Sequence, residues 1–172
     1  MKKLFCVTLA LVMLLTATAF AESGFAGGNG TKEEPWQIAS AEQLQRVREN
    51  LAGHYVLVAD IDLSGYENWE PIGAFQSLSD APEDAEVPNP EYAFTGTFDG
   101  AGHTISNLTV SSALPMGAGL FGCASGTENE EAYIGNFTLE NVHVSGFYLV
   151  GGAVGLQFMN CKVSDITLKG EN

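Results

Sequence analysis

The sequence predicts an all-β fold of short strands stacked as a solenoid, and three observations carry that prediction. Twenty glycines are spread over 172 residues among aromatic and β-branched residues, the composition of many turns joining short strands. The run Phe94 to Val110, FTGTFDGAGHTISNLTV, alternates apolar and polar residues between glycine turns and is followed by Gly119-Leu120-Phe121-Gly122. The same patterning then returns twice. Asn136 to Gly146 (NFTLENVHVSG) aligns without a gap on Asn160 to Gly170 (NCKVSDITLKG), setting Phe137 against Cys161, Leu139 against Val163, Asn141 against Asp165, Val142 against Ile166 and Val144 against Leu168. Ile105, Asn107, Leu108 and Val110 fit the same template against Leu139, Asn141, Val142 and Val144, and Gly119–Gly122 answers Gly152–Gly155. Each unit is too small to bury its own apolar side, so units of this kind must cover one another. Asn107, Asn141 and Asp165 recur at one template position, which predicts a side-chain hydrogen-bond ladder along the stack. A β-sandwich is the rival arrangement, but a sandwich need not repeat its sequence.

The elements follow in order. Lys2 and Lys3, the apolar run Leu4 to Ala19 and the small-x-small triplet Ala19-Phe20-Ala21 describe a secretory signal peptide over residues 1–21; a membrane anchor would need a longer apolar run. Residues 22–35 are glycine-rich and aperiodic, which predicts a flexible lead-in, with structure beginning at Trp36. Ser40 and Gln43 form a capping-box pattern, Leu44, Val47 and Leu51 share one face, and Gly53 follows, so a short amphipathic cap helix is expected over about 41–52. YVLVADIDL is the first strand, with Leu57, Ala59, Ile61 and Leu63 on one side and Val56, Val58, Asp60 and Asp62 on the other. Three prolines and five acidic residues between Asp80 and Glu91 mark an exposed loop insertion over about 76–92. A second acidic insertion, SGTENEEA, is expected within about 123–132. The domain therefore spans 36–172.

Charge excludes several functions. The net charge is −14, and cleavage of the signal would remove two lysines more, leaving a surface that repels phosphate backbones and anionic lipid. Nucleic-acid binding and membrane insertion of the exported chain are not expected. Asp60 and Asp62, alternate residues of one strand, could form a hydrolytic pair or part of a Ca²⁺ site, although carboxylates beside a turn commonly accept backbone hydrogen bonds. Asp80, Glu83, Asp84 and Glu86 lack calcium-loop spacing, and His54, His103 and His143 lack the His-Glu-x-x-His spacing of zinc peptidases. His103 is expected to close a turn and His143 to point outward. Cys123 and Cys161 could pair after export, but Cys161 aligns with inward Phe137, which favours a buried thiol, and neither has a basic neighbour to activate it. Trp36, Tyr66, Trp69 and Phe75 could form a sugar-stacking platform or serve as core and cap packing. No catalytic, cofactor-binding or metal residue is assigned, and the protein is expected not to be an enzyme.

Gly30-Thr31, Pro35-Trp36-Gln37-Ile38, Glu42-Gln43-Leu44, Asp60-Ile61-Asp62-Leu63-Ser64, Trp69-Glu70-Pro71-Ile72-Gly73, the FDG-GHTISNLTV run, GLFG and VGGAVG together resemble the GLUG-motif β-helix proteins. These are secreted or surface-attached bacterial proteins that include solenoid regions of IgA-specific metallopeptidases and adhesin-like proteins. The resemblance covers residues 28–170; Ala153 and Gln157 depart from the family's core motif. It implies a right-handed parallel β-helix with an N-terminal capping α-helix, exported to the extracellular space or cell surface and used in adhesion, binding or display. The implied partner is an extracellular protein or glycan. A carbohydrate-active enzyme using Asp60 and Asp62, or a plain structural spacer, is the alternative. No polar cap follows the last repeat in this sequence, so the final rung is expected either to meet a second copy or to continue into a longer gene product.

Overall fold

The computed structural model of the chain describes residues 24–74, 92–112, 117–146 and 149–170. The expected signal segment, Phe75 and nearly all of the proline-rich acidic insertion lie outside the described residues. Within them, strands dominate: β1 (Trp36–Ile38), β2 (His54–Leu57), β3 (Ile61–Asp62), β4 (Thr97–Asp99), β5 (Thr104–Ser106), β6 (Thr109–Ser112), β7 (Phe121–Ala124), β8 (Ala132–Glu140), β9 (His143–Gly146), β10 (Val154–Gln157) and β11 (Cys161–Lys169). Helix α1 (Ala41–Gln45) continues directly into a 3₁₀ turn, Arg46–Glu49. Every pairing between these strands is parallel.

Parallel strands must be joined by crossovers, so each pass of the chain returns to lie beside the one before. The largest sheet runs β1-β2-β4-β8-β5-β3, with β11 also on β8, and two smaller sheets pair β7 with β10 and β6 with β9. Inward side chains therefore fall into columns. Tyr55, Phe98, Ile134 and Val163 occupy successive register positions, as do Ile61, Ile105, Leu139 and Leu168. Aromatic rings tie the columns together: Phe94 and Phe98 lie 5.0 and 5.2 Å from Phe121, and Phe98 meets Phe137 edge-on at 5.7 Å. Each fully buried aliphatic or aromatic side chain contributes about 1.5–3 kcal/mol, a gain available only once a neighbouring pass covers it.

Several expectations need correction. The 24–35 segment is part of the fold rather than a flexible lead-in: Ala26 N–H donates to Gln37 O at 2.9 Å, Gln37 N–H returns to Gly27 O at 2.8 Å, and Asn29 accepts from Thr31 N–H and Oγ1. Gly28 and Gly30 both have φ of 80°, and a Cβ at Gly28 would stand 1.8 Å from Pro35 O, so glycine here allows close packing rather than looseness. The cap helix is shorter than 41–52. Its start follows the capping pattern, with Gln43 N–H donating to Ser40 Oγ at 3.3 Å and Ala39 N–H to Gln43 Oε1 at 2.7 Å. It tightens to 3₁₀ after Gln45, where three residues per turn eclipse Leu44 and Val47, both with 0% exposure. The YVLVADIDL strand is two strands, β2 and β3, broken at Val58–Asp60. The second insertion is narrower than 123–132, because Cys123 and Ala124 belong to β7 and Ala132 to β8, all buried.

The repeat register is half as expected. Ile105 lies beside Leu139 and Val110 beside Val144, and Val154 lies beside Phe121, as the template required. On β11, however, Ile166 lies beside Phe137 and Leu168 beside Leu139, not beside Val142 and Val144. The ladder changes accordingly. Asn141 Nδ2 donates to Asn107 Oδ1 at 2.6 Å and Asn107 Nδ2 to Asp62 Oδ1 at 2.8 Å, so the row is Asp62, Asn107, Asn141. Asp165 instead takes the corner beside Asn136, both with positive φ.

Candidate functional site

The residues singled out by sequence are mostly committed to holding neighbouring passes together. Asp60 Oδ1 accepts from Thr104 N–H at 2.9 Å, and His103 Nδ1 sits 3.0 Å away. Those bonds, the backbone one foremost, hold the Asp60 carboxyl below the usual range. Asp62 is likewise held low by the Asn107 amide and then by Ser64 N–H and Oγ. Both acids are ionised at neutral pH, and neither has a proton to give. His103 N–H closes a turn onto Gly100 O at 2.8 Å, and His143 is exposed. Cys123 and Cys161 are free thiols; burial pushes Cys123 up to about 12 and Cys161 up to about 11, leaving both protonated at neutral pH. The aromatic group divides: Trp36 stacks on Phe25 at 5.2 Å, while buried Trp69 packs edge-on to Tyr66 and donates from Nε1 to Leu120 O at 3.2 Å. No three metal-ligating side chains converge among the described residues.

A concavity lies elsewhere, on the outer face of the main sheet. Alternation sends Tyr55, Phe98, Ile134 and Val163 inward, so their chain neighbours His54, Thr97, Tyr133 and Lys162 point outward at one register level across β2, β4, β8 and β11. This row forms the floor of a groove of about 1000 Å³. His54 Nδ1 lies 2.8 Å from Thr97 Oγ1, and Lys162 Nζ is 5.9 Å from the Tyr133 ring centroid. The next outward row places Asp99 beside Gly135 and Gly135 beside Ser164. Gly135 is buried although it faces outward, because Tyr133 leans over it: a Cβ there would be 2.2 Å from Ser164 O and 2.7 Å from the Tyr133 hydroxyl. Asp99 Oδ1 accepts from Ala101 N–H at 2.8 Å and Asn136 Nδ2 at 2.9 Å, which fixes its carboxylate at the groove's edge.

One wall of the groove is the short acidic insertion. Thr127 Oγ1 accepts from Glu130 N–H at 3.0 Å and Asn160 Nδ2 donates to Thr127 O at 2.8 Å, which ties the turn to the next pass and sets Asn129, Glu130 and Glu131 along the rim. Lys32 and Pro35, from the segment expected to be flexible, form the opposite wall. In the sequence His54 stood out only as a histidine without zinc-peptidase spacing, and Asn129, Glu130 and Glu131 only as part of an acidic insertion. The outward positions of the strands were legible as a set, but the register that brings four of them into one row is set by long-range pairing.

No family model matches the sequence. Halomucin of Haloquadratum walsbyi is 38% identical over 133 residues, which is 74% of this chain and 1% of halomucin. A protein named as a Gly-rich membrane protein of Evansella cellulosilytica is 32% identical over 125 residues, 68% of this chain and 13% of that protein. Among solved structures, a Bacteroides ovatus protein assigned as an immunoglobulin A1 protease aligns with a TM-score of 0.54 and 19% identity, covering 86% of this chain and 46% of that one. The chain thus spans less than half of each of these proteins. It is an all-β protein of parallel strands that shares its fold with part of the Bacteroides protein and its sequence with short segments of two far longer ones.

Proposed function

We propose that this chain is an exported, non-enzymatic right-handed β-helix of the GLUG-motif kind, alone or as a module of a larger surface protein, acting in extracellular adhesion, binding or display. The observation that carries the reading is the unbroken parallel register from β1 through β11, which builds a rigid outer face from short strands. Parallel crossovers within a sheet are right-handed in about 98% of cases, which supports the hand. The names of the relatives, a halomucin and a Gly-rich membrane protein, and the fold shared with the Bacteroides protein support a surface setting. No helix of the described residues is long and apolar enough to cross a membrane.

Of the residues an enzyme reading would use, Asp60 accepts through Oδ1 from Thr104 N–H, and Asp62 accepts from Ser64 and Asn107. The test is a panel of extracellular glycans and proteins offered to the wild type and to Asp60→Asn. Saturable binding with no product formed, unchanged by the substitution, is the expected outcome. Turnover of any glycan that the substitution abolishes would overturn the reading. A second copy of the chain is also proposed as a partner, docking at the outer edge of β11.

A further inference from the structure

We infer that the groove above His54, Thr97, Tyr133 and Lys162 binds a linear, neutral, hydroxyl-rich polysaccharide lying across the strands, with one sugar ring against Tyr133. The inference rests on the reading of this chain as an extracellular binding protein and supplies the ligand class and the site. Four features of the groove point the same way.

The floor row crosses four parallel strands at one level, so its side chains repeat at the strand spacing of about 4.8 Å. That spacing is close to the rise per residue of an extended hexose chain. A ligand running across the strands would meet one floor residue per sugar.

The floor combines one aromatic ring with three polar side chains, a mixture that suits the apolar faces and hydroxyls of a sugar chain. Tyr133 supplies an aromatic surface for the apolar C–H face of one ring, set flush with the floor by the absence of a side chain at Gly135. Thr97, His54 and Lys162 supply hydroxyl, imidazole and ammonium groups for the neighbouring units, and on the rim Asn129 can accept from and donate to hydroxyls while the Glu130 carboxylate accepts from them.

The charge pattern selects against other ligands. Asp99, Glu130 and Glu131 line the same groove as Lys32 and Lys162, in a chain of net charge −14, so a polyanion meets three carboxylates and a polycation meets two ammonium groups. Neither has a uniformly complementary track. β2, β4 and β8 are each paired on both sides, so among the strands of the row a peptide strand could join only at the outer edge of β11, at the end of the groove rather than along its floor. With two carboxylates on the rim and His54, Thr97 and Asp99 in or beside the floor, the site does not suit a lipid tail either.

The groove is tested by calorimetric titration of the full chain with neutral linear oligosaccharides of two to eight units, cellulose-, xylan- and β-1,3-glucan-derived, with polygalacturonate and polylysine as controls. Binding of at least one neutral series is expected, with affinity rising to about four units, one per strand of the row, and then levelling. Tyr133→Ala is expected to weaken it by at least about tenfold while Tyr133→Phe retains it. Glu130→Gln and Asn129→Ala, on the exposed rim, should each weaken it measurably and keep the assignment testable if Tyr133→Ala fails to fold. No affinity for any neutral series, or binding unchanged in all three weakening variants, would overturn the groove assignment. Preferential binding of polylysine would overturn the glycan chemistry while leaving an extracellular binding role standing. Cleavage of a bound oligosaccharide would support the groove and overturn the non-enzymatic reading.

Discussion

Asn141 has two roles in the fold. Its φ is 54°, a left-handed corner that costs most L residues about 1–2 kcal/mol but that asparagine tolerates. Its Nδ2 also donates to Asn107 Oδ1 at 2.6 Å, while its own Oδ1 is buried without a hydrogen-bond partner. The next pass does not continue the side-chain row: Asn141 N–H donates to Lys169 O, and the residue that follows on that pass is Gly170, which has no side-chain amide to donate. Asn141→Gly keeps the backbone and loses the amide bond, a cost of about 1 kcal/mol. Asn141→Ala loses both and should cost roughly 2–3 kcal/mol. Urea unfolding midpoints check the pair, and equal losses would show that the corner carries no strain. That asparagines would mark the corners was legible in the sequence, since Asn107 and Asn141 share a template position. Which corner Asp165 occupies was not, because the strain at a corner is local and identical wherever an Asn or Asp turns the chain.

β8 is the element on which the main sheet depends. Its residues Tyr133–Gly135 pair with β4 and Thr138–Glu140 with β5, with the bend at Asn136, while its other edge carries β11 along almost its whole length. The pass-to-pass register of β8 and β11 slid in the sequence alignment because both segments carry two similar corners, Asn136 with Asn141 and Asn160 with Asp165. Alternation matches equally well when one corner is placed on the next. Only the hydrogen bonds between the strands, which bring Ile166 to Phe137, decide between the two. Gly135 reports on this element directly. Gly135→Ala places a methyl 2.2 Å from Ser164 O on β11, so the strands must part or Ser164 must shift, at a cost of about 1–3 kcal/mol. Amide hydrogen exchange should show β11 losing protection before β4. Equal loss across the sheet would show that the strain is shared rather than confined to the outer strand.

At the scale of the molecule, burial falls away toward one end. Along one column Ile61 is 2% exposed, Ile105 and Leu139 0%, and Leu168 65%. Leu149, Val150, Met159 and Leu168 are four of the large apolar side chains left exposed, and all lie in the last described pass. The opposite end is sealed by α1, the 3₁₀ turn and the 24–35 segment, with Leu44 and Val47 fully buried beneath them. The second copy proposed above would join end to end through these exposed faces, and with the opposite ends covered that pairing would close a dimer rather than extend a filament. Light scattering should show a mass rising with concentration toward twice the monomer, and Leu168→Glu should hold the chain monomeric. A monomeric wild type at all concentrations, or growth beyond a dimer, would sink that arrangement. The stacking logic and the sealing helix were legible in the sequence from the alternation and the Ser40 cap. The role of 24–35 was not, because its order comes from contacts with Pro35, Trp36 and Gln37 rather than from any periodicity of its own. The crosswise row of His54, Thr97, Tyr133 and Lys162 has one last consequence. Its length is counted in passes of the chain, so duplicating a single repeat in the gene would stretch the trough by one unit, and the span of the molecule it grips becomes a quantity that inheritance can adjust in whole steps.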